Sequence, residues 1–576
     1  MKKFHLTKSY ALINFDAINI NSQVDLLNSK SFDLVLRAFV RTLKLEKNDL
    51  VDRLKVVESK EILSLYKQLL IHDVKTAFKN VPNLNLSHRK DIYNFTEQLY
   101  DYWRNLTRFG LLKGSKLYDP QMKVADLMNV NVQFNDIVIS LYRAITQKLA
   151  GENFHVFRQL PAGINANMLY IKHKFTNNSN YSKIQNIPFI TKIVTTPPFI
   201  INSKSNTRSG LFTKIDNNPL KDLSINPNHF LTFPIKVGPL LAFVYIHRDF
   251  IHQGIALSNL FQFANYENFK DKSPDLVYVY GIKESEYDCK YFYDDKEDIL
   301  IGFVSRDDKN DYFGYLKKML LTLHNVKMIN SGHLPIHGAM VKIKLNDNSI
   351  KNVVIVGDSG AGKSETLEAM RLIGNKQIKR MEVVFDDMGT FKINDNNKVV
   401  ANGTETGAFV RLDDLDTGYA YQIMDRAMFL NPNKVNARVV VPISSYDFIM
   451  QNHKVDLFLY ANNYDEENSD IKVFENINEA LEVFKRGRRK AKGTTSEVGL
   501  VESYFANPFG PVQMQQETNI LLDKFFNNLK DNKVIIGEIY TKLAVSGHES
   551  SGPIEAAKLL LNYLTGKEWY FLWIHI

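Results

Sequence analysis

The feature that most constrains the 576-residue chain is a glycine-rich run placed between an apolar stretch, residues 353–356, and a helix-forming stretch, residues 365–372. The run has the pattern G-x-x-x-x-G-K-S and consists of Gly357, Asp358, Ser359, Gly360, Ala361, Gly362, Lys363 and Ser364. A strand, a glycine-rich loop and a helix are the context in which backbone N–H groups and a helix N-terminus surround a phosphate. The sequence therefore predicts an α/β fold with a phosphate-binding loop, in which Lys363 reaches the terminal phosphates and Ser364 faces a divalent cation.

Composition places the chain among ordinary globular proteins. It is 44% hydrophobic and 23% charged, and no apolar run approaches the length of a membrane span. The N-terminal residues contain no signal-peptide core. Cys289 is the only cysteine, which excludes an intramolecular disulfide and any multi-cysteine metal site. We therefore expect a cytoplasmic protein without a membrane partner.

The net charge of +9 suits an anionic substrate, and it would also suit nucleic acid. The densest basic cluster, residues 485–492, has three interpretations: a solvated loop, a nuclear-localisation or RNA-binding run, or a lid that attracts phosphates. Charge alone does not choose among them. Nucleic-acid binding is the least favoured of the three, and we expect no nucleic-acid partner.

Hydrophobic spacing divides the chain into three predicted parts. In residues 1–150 apolar side chains recur at three-and-four spacing as far as the segment 91–112, which predicts a helix-rich N-terminal region. In residues 151–330 short β-like runs alternate with Asn-, Pro- and Ser-rich connectors, which indicates a mixed α/β substrate domain. Residues 331–576 alternate strands and helices around the glycine-rich loop, which predicts a nucleotide- and metal-binding domain with a lid near residues 485–500.

Four further elements carry residues suited to phosphoryl transfer. An apolar run ends in two aspartates 23 and 24 residues after Lys363, and a carboxylate at the end of a neighbouring strand commonly holds the metal on a phosphate. A histidine precedes the strand that feeds the loop, two adjacent lysines lie upstream of it, and an arginine opens a later apolar run. Taken alone, the aspartates favour the metal over the alternative of a turn. The histidine is more often structural, paired lysines usually mark a solvated helix face, and an isolated arginine is more often a surface group. The residues are Lys317, Lys318, His337, Asp386, Asp387 and Arg438.

The order of these elements resembles the phosphoenolpyruvate carboxykinases. Residues 312–318, Tyr-Phe-Gly-Tyr-Leu-Lys-Lys, are similar to the family's Tyr-Gly-Gly-Glu-Met-Lys-Lys, and the 19-residue gap to the histidine is similar too. Residues 405–411 are similar to Glu-Gly-Gly-Cys-Tyr-Ala-Lys, residues 492–499 to the lid sequence around Ala-Gly-Thr-Glu, and residues 206–210 to Gly-Arg-Ser-Pro. The phosphate loop itself is instead similar to that of HPr kinase/phosphorylase, a related fold.

The carboxykinase resemblance implies a carboxykinase-like P-loop domain with two cation sites. Lys318, His337 and Asp387 would hold a catalytic Mn²⁺, and Ser364 and Asp386 would lie beside a second cation, Mg²⁺. The resemblance also implies roles in binding substrate and phosphate for Arg208, Tyr312, Lys317, Arg411 and Arg438. Of these, Arg208 and Arg438 would bind the dicarboxylate, and Arg411 stands where the family has a lysine that binds the γ-phosphate.

Three functions remain open at this stage. The first is a carboxykinase that converts oxaloacetate and a nucleoside triphosphate, ATP first and GTP or pyrophosphate as alternative donors, to phosphoenolpyruvate, CO₂ and the diphosphate. The second is an HPr-kinase-like enzyme that phosphorylates a serine hydroxyl of a protein or small molecule, with His337 or Asp387 accepting the proton. The third is a regulatory nucleotide binder. The spacing of Lys318 and His337 favours the first, because a hydroxyl kinase has no evident need for a metal-ligating lysine.

Overall fold

The computed structural model describes residues 3–54, 58–114, 120–151, 160–176, 178–412, 415, 423–468, 470–491 and 499–566. The chain forms two compact units. Unit 1 comprises Met1–Lys172 and Pro188–Phe199, and unit 2 comprises His173–Ile187 and Ile200–Ile576. Both units contain helices and sheets, so the predicted α/β class is confirmed. The division into three parts at residues 150 and 330 stays a prediction.

Unit 1 combines helices with a five-stranded sheet. Its helices are α1 (Gln23–Asn28), α2 (Lys30–Leu45), α3 (Asp49–Arg53), α4 (Ser59–Ile71), α5 (Val74–Lys79), α6 (Arg89–Asn105) and α7 (Pro120–Ala150). Its strands are β1 (Phe4–Leu6), β2 (Tyr10–Asn14), β3 (Thr107–Lys113), β4 (Ala166–Ile171) and β5 (Phe189–Thr195). The strands lie in chain order; β2, β3 and β4 are parallel, and β1 and β5 are antiparallel to their neighbours. The apolar faces of the helices share one core that includes Leu36, Leu65 and Phe78.

Strand β3 corrects the prediction that a helix continues through residues 91–112. Helix α6 ends at Asn105, and β3 lies between β2 and β4, parallel to both. A strand that is buried on both faces has a continuous apolar run, which spacing alone cannot distinguish from a buried helix. Gly110 was the local signal against a helix. It is required in the sheet, because a Cβ at this position would lie 1.9 Å from Asn167 Oδ1.

Unit 2 contains the glycine-rich loop. Its helices are α8 (Ile251–Leu260), α9 (Tyr266–Phe269), α10 (Phe313–Asn330), α11 (Lys363–Ile373), α12 (Tyr446–Ile449), α13 (Ile477–Arg486), α14 (Gln515–Asp531) and α15 (Ser551–Thr565). Strand β6 (Phe199–Ile201) contains the boundary between the units. Across both units, no helix in the described part of the chain combines the length and the apolar character needed to cross a membrane.

The first sheet of unit 2 supports the helix that carries the paired lysines. Its strands are β7 (Thr213–Lys214), β8 (Phe230–Val237), β9 (Leu240–His247), β10 (Gln262–Phe263), β11 (Leu276–Ile282), β12 (Lys290–Asp294) and β13 (Ile299–Ser305). They lie in the order β8, β9, β11, β13, β12, β7, with β10 beside β8. Helix α10 packs on β11 and β13. Every residue of α10 from Phe313 to Ile329 is buried except Lys318, which is partly exposed.

The second sheet of unit 2 carries the glycine-rich loop. Its strands are β14 (Leu334–Leu345), β15 (Ile350–Val356), β16 (Ile378–Phe385), β17 (Met388–Ile393), β18 (Val399–Gly403), β22 (His453–Lys454), β23 (Leu457–Asn462), β24 (Lys472–Val473) and β27 (Ile535–Tyr540). They lie in the order β22, β18, β17, β14, β15, β23, β27, β24, with β16 also on β14. Strands β15, β23 and β27 are parallel. Separate apolar cores, one with α11 and α15 and the other with α13 and α14, pack on this sheet.

Two smaller sheets complete unit 2. They are built from β19 (Gly407–Arg411), β20 (Met428–Leu430) and β21 (Arg438–Pro442), and from the hairpin β25 (Arg488–Lys490) and β26 (Leu500–Glu502). Around the loop, β15 and α11 confirm the strand and helix predicted from residues 353–356 and 365–372.

We expect Gly110→Ala to lower the free energy of unfolding by about 1–3 kcal/mol, because the added methyl group overpacks the contact with Asn167. If residue 110 lay in a helix, Gly110→Ala would raise the free energy of unfolding, since alanine stabilises a helix interior by about 1 kcal/mol relative to glycine. Urea denaturation followed by circular dichroism measures the change. Gly114→Ala is the matched control, because its added Cβ would come no closer than 3.2 Å to any neighbour. Stabilisation by Gly110→Ala would contradict the strand.

Candidate active site

Three parallel strands, β15, β23 and β27, end side by side at the glycine-rich loop. The carboxyl ends of parallel strands are where open α/β sheets bind ligands. The loop follows β15, and the residues directly after the other two strands bond to it. Asn463 Nδ2 donates to the backbone oxygen of Gly360 at 2.8 Å, and Thr541 Oγ1 donates to that of Ala361 at 2.7 Å. Neighbouring strands thus hold the loop in shape.

Glycine is needed at two positions of the loop. Gly360 and Gly362 have φ angles of 79° and 89°, in the left-handed region that side chains rarely adopt. A Cβ on Gly362 would also lie 2.5 Å from Thr541 Oγ1. Helix α11 begins at the next residue, Lys363, so its first N–H groups lie at the loop. Lys363 Nζ donates to the backbone oxygen of Asp358 at 3.2 Å, which places the amine over the loop.

The two side chains predicted to lie beside a cation at the loop are in contact. Ser364 Oγ donates to Asp386 Oδ1 at 3.1 Å. Burial, and then the charge of Asp387, raise the pKa of Asp386 to about 6. A hydroxyl and a buried carboxylate are oxygen ligands of the kind that Mg²⁺ prefers.

The Asp387 carboxylate joins residues from two other stretches of the chain. Its Oδ2 lies 2.6 Å from Lys318 Nζ and 2.7 Å from Lys317 Nζ, both on α10. Its Oδ1 lies 2.9 Å from His337 Nε2, on β14. The structure thus brings together the three predicted Mn²⁺ ligands and Lys317.

His337 is completely buried between two oxygen atoms. Its Nδ1 lies 2.6 Å from the backbone oxygen of Ala506, and its Nε2 faces Asp387. A carbonyl oxygen only accepts hydrogen bonds, so Nδ1 carries a proton. Nε2 then either carries a second proton or offers its lone pair to a cation beside the carboxylate.

The adjacent lysines differ in how readily they lose a proton. Burial works to lower the pKa of Lys317, but the charges of Asp387 and Glu405, the latter with Oε1 3.0 Å away, outweigh it and raise that pKa. Burial lowers the pKa of Lys318, against the attraction of Asp387. Burial also works to raise the pKa of Asp387, but Lys317 and Lys318 hold it well below its usual value. Lys318 is therefore the amine that more readily becomes neutral, the form that ligates metals.

Strands β19 and β21 place the other predicted anion-binding residues. Arg411 lies opposite Arg438 in their antiparallel register. The guanidinium carbon of Arg438 lies 5.4 Å from the ring centroid of Phe409, and Lys317 Nζ lies 5.7 Å from the same centroid. Tyr312, the N-cap residue of α10, is 6.2 Å from this ring, centroid to centroid.

Arg208 lies against a ring that Lys318 also contacts. Its guanidinium carbon is 5.3 Å from the ring centroid of Phe509 and 5.6 Å from that of Phe212. Lys318 Nζ is 4.5 Å from the Phe509 centroid. The predicted carboxylate-binding arginine thus shares a ring contact with Lys318, one of the predicted metal ligands.

The basic run at residues 485–492 is not a solvated loop where the structure describes it. Helix α13 ends within the run, and strand β25 follows. Arg489 is buried in β25 with its Nε 3.2 Å from Asp358 Oδ2, in the phosphate loop. The sequence did not indicate this strand, because the run is densely charged and the burial of Arg489 depends on a partner that is distant in sequence. Residues 492–498 of the predicted lid lie outside the described residues.

Sequence reasoning missed several residues that shape the site. Asn463 and Thr541 directly follow apolar strands, which is the signal that pointed to Asp386, so the same argument could have found them. Phe509 contacts Lys318 through its ring, and Ala506 contacts His337 through its backbone oxygen. Phenylalanine and alanine are not residue types associated with phosphate or metal chemistry, so no signal in the sequence pointed to them.

Neither the comparison with protein-family models nor that with curated proteins finds a match to this chain. Within the described ranges, no group of three or more His, Cys, Asp or Glu side chains is arranged to hold a metal ion. Three described side chains contact the Asp387 carboxylate: one of these types, His337, and the lysines 317 and 318.

We expect Asp358→Asn to lower the free energy of unfolding by about 1.5–3 kcal/mol, because it removes the charge of a carboxylate that the buried Arg489 contacts at 3.2 Å. In a double-mutant cycle with Arg489→Gln, the two changes should be non-additive by about 0.5–3 kcal/mol. Denaturant unfolding of the four proteins measures the coupling. The exposed pair Lys204 and Asp308 is the control, and coupling no larger than that pair's would contradict this assignment.

Proposed function

We propose that the chain is a phosphoenolpyruvate carboxykinase with a carboxykinase-like P-loop domain. It converts oxaloacetate and a nucleoside triphosphate, ATP in the first instance, to phosphoenolpyruvate, CO₂ and the nucleoside diphosphate. One observation carries the proposal: Lys318 Nζ and His337 Nε2 lie 2.6 and 2.9 Å from the two oxygen atoms of Asp387. An amine, an imidazole and a carboxylate at such separations suit a metal site that a hydroxyl kinase does not need.

Lys318 and His337 each contact one oxygen of the Asp387 carboxylate, so the three side chains would be the ones to hold a cation at this carboxylate. The hydrogen bond from His337 Nδ1 to Ala506 directs Nε2 toward the carboxylate. Lys318 would add an amine nitrogen as a third ligand, beside the imidazole nitrogen of His337 and the carboxylate of Asp387. Mn²⁺ held by Lys318, His337 and Asp387 would supply Lewis-acid stabilisation of the negative charge that decarboxylation leaves on the substrate oxygen.

The phosphate loop and its neighbours serve the phosphoryl transfer. Lys363 lies over the loop, where it neutralises the terminal phosphates. Ser364 and Asp386, in contact with each other, fit a Mg²⁺ on those phosphates. Arg411 and Arg438, opposite each other on β19 and β21, add positive charge for the oxygens of the transferring group.

The remaining predicted residues bind the dicarboxylate. Arg208 presents a planar guanidinium that matches a carboxylate by forked hydrogen bonds. Lys317 stays protonated between Asp387 and Glu405, so it provides a fixed positive charge beside the reacting oxygen. Tyr312 is buried at the start of the helix that carries Lys317.

Phosphorylation of a serine hydroxyl, on a protein or a small molecule, is the second candidate. It is favoured by the contact between Asp387 and His337, since a carboxylate held ionised beside an imidazole can accept a hydroxyl proton. In that function Lys318 is a counter-ion of Asp387 and not a metal ligand. The residues that follow Lys363 in the loop, Ser364 and Glu365, also resemble the HPr kinase/phosphorylase sequence.

The direct test is to incubate the purified protein with Mn²⁺, oxaloacetate and ATP, GTP or pyrophosphate, and to measure phosphoenolpyruvate. We expect product with at least one donor. If the three donors give none and a seryl substrate is phosphorylated, the second candidate replaces the first.

We expect Lys318→Ala to reduce the rate of phosphoenolpyruvate formation by a factor of about 10² or more, because it removes a group that acts where charge develops in the transition state. Nucleotide affinity, measured by calorimetry, should stay the same, since the phosphate loop is intact. Lys327→Ala is the matched control: it removes a lysine of the same helix that pairs instead with Asp298. Full activity of Lys318→Ala, or an equal loss in both variants, would refute the assigned role.

A further inference from the structure

Unit 1 contains an apolar cavity of about 90 Å³. Its walls come from helices α1, α2, α4, α6 and α7 and from the N-terminal segment that includes β1 and β2. Every residue of the lining belongs to unit 1, so the cavity shares no residue with the phosphate loop or the Asp387 cluster. Protein interiors are close-packed and contain few voids larger than a water molecule, which makes a cavity of this size a candidate binding site.

The rings of three aromatic side chains keep the cavity open. Tyr100 Oη donates a hydrogen bond to the backbone oxygen of Leu160 at 2.9 Å. Trp103 Nε1 donates to that of Ala162 at 2.8 Å. The ring of Tyr142 stacks on that of Tyr100, with their centroids 3.9 Å apart and an angle of 8° between their planes. Rings fixed in this way cannot turn into the space, and an empty cavity costs most where its surroundings cannot collapse.

The polar groups of the lining leave little for water to bond to. The hydroxyl groups of Tyr66 and Thr96 lie 2.8 Å apart and bond to each other. Ser31 is a polar lining residue on the partly exposed side of the cavity. A buried water needs two to four polar partners, so the interior of the cavity suits an apolar occupant. The other five polar side chains of the lining all bond to protein atoms: Tyr66, Thr96, Tyr100, Trp103 and Tyr142.

The volume of the cavity limits the size of the occupant. An engineered apolar cavity of about 150 Å³ binds benzene, which has six carbon atoms, so a cavity of about 90 Å³ holds about four. Ile18, Ile20, Ser31 and Phe32 are among the lining residues that are partly exposed, so solvent reaches the lining on this side. A molecule with its aliphatic end inside can therefore keep a polar end in water.

We propose that unit 1 binds small molecules through a short aliphatic group of about four carbon atoms, which occupies this cavity while the polar end stays outside. The unfilled walls lack van der Waals partners, and an aliphatic group supplies them without breaking any hydrogen bond of the lining. The proposal does not rest on the proposed function, because the residues assigned to that function lie elsewhere.

The test observes isotope-labelled isoleucine methyl groups of the full chain by NMR during titration with n-butanol. We expect saturable shifts at the isoleucines of the lining, with a Kd of about 1–10 mM, the range that burial of four CH₂ groups gives. The lining isoleucines are Ile13, Ile18, Ile20 and Ile145. Isoleucines of the same core that do not line the cavity are the internal control and should not shift: Ile62, Ile92 and Ile139.

A second probe distinguishes an apolar cavity from a polar one. It is the butanediol that carries a hydroxyl group at each end of the same four-carbon chain. We expect it to bind about 10-fold more weakly than n-butanol or not detectably, because its second hydroxyl would be buried without a hydrogen-bond partner.

The variant Val35→Phe fills the cavity, since Val35 is buried on α2 and belongs to the lining. It should abolish the saturable shifts that n-butanol causes. Val40→Phe is the matched control, because it makes the same change on the same helix at a residue that packs against the core without lining the cavity. It should keep the wild-type Kd. If Val35→Phe does not fold, the comparison of the two probes on the wild-type protein decides the proposal alone.

Three outcomes would overturn the proposal. The first is a set of shifts that rise linearly with n-butanol and affect lining and control isoleucines alike, since these report a change of solvent. The second is a diol that binds as tightly as n-butanol, and the third is a folded Val35→Phe with the wild-type Kd. Saturable shifts confined to the lining, lost in Val35→Phe and kept in Val40→Phe, would support it whether or not the chain forms phosphoenolpyruvate.

Discussion

The Asp387 carboxylate is the group on which the site depends. It is the shared partner of two lysines and a histidine that are otherwise enclosed by the protein. Charges in such surroundings are stable only when they are paired, because removal from water costs several kcal/mol per ion. The carboxylate therefore fixes helix α10, strand β14 and the end of β16 with respect to one another. Asp387 works to raise the pKa of both lysines; burial lowers the pKa of Lys318, while Glu405, as a second carboxylate, helps to raise that of Lys317.

The parts of the site that the sequence predicted are those with local signals. The loop at residues 357–364 has its chemistry and both flanks within a short stretch, and Asp386 and Asp387 end an apolar run. The lysines and His337 became candidate site residues only because their order along the chain resembles that in the phosphoenolpyruvate carboxykinases. Asn463 and Thr541 have the same local signal as Asp386, since each directly follows an apolar strand, and the strand order adds that β23 and β27 end beside the loop.

The failures have the opposite cause, which is the dependence of local structure on distant partners. Strand β3 has an apolar run that spacing assigns to a helix. It is a strand because it pairs with β2 and β4. Arg489 belongs to a run of charges typical of solvent, and Asp358, 131 residues away, allows its burial. The fold is needed to identify the partners of β3 and of Arg489, because the local composition around each does not indicate which distant segment it contacts.

The balance of charge favours the carboxykinase over the serine kinase. Apart from the phosphate loop, the site has four cations close to the rings of Phe409 and Phe509, namely Lys317, Lys318, Arg208 and Arg438. Asp387 and Glu405 are the carboxylates that contact the lysines. A serine hydroxyl is neutral, so a kinase that phosphorylates it gains nothing from an excess of positive side chains over carboxylates outside its nucleotide site. A dicarboxylate brings two negative charges to the terminal phosphates, which are themselves anionic. Arg208 and Arg438, in addition to the lysines that Asp387 and Glu405 contact, are what would allow both anions to be bound side by side.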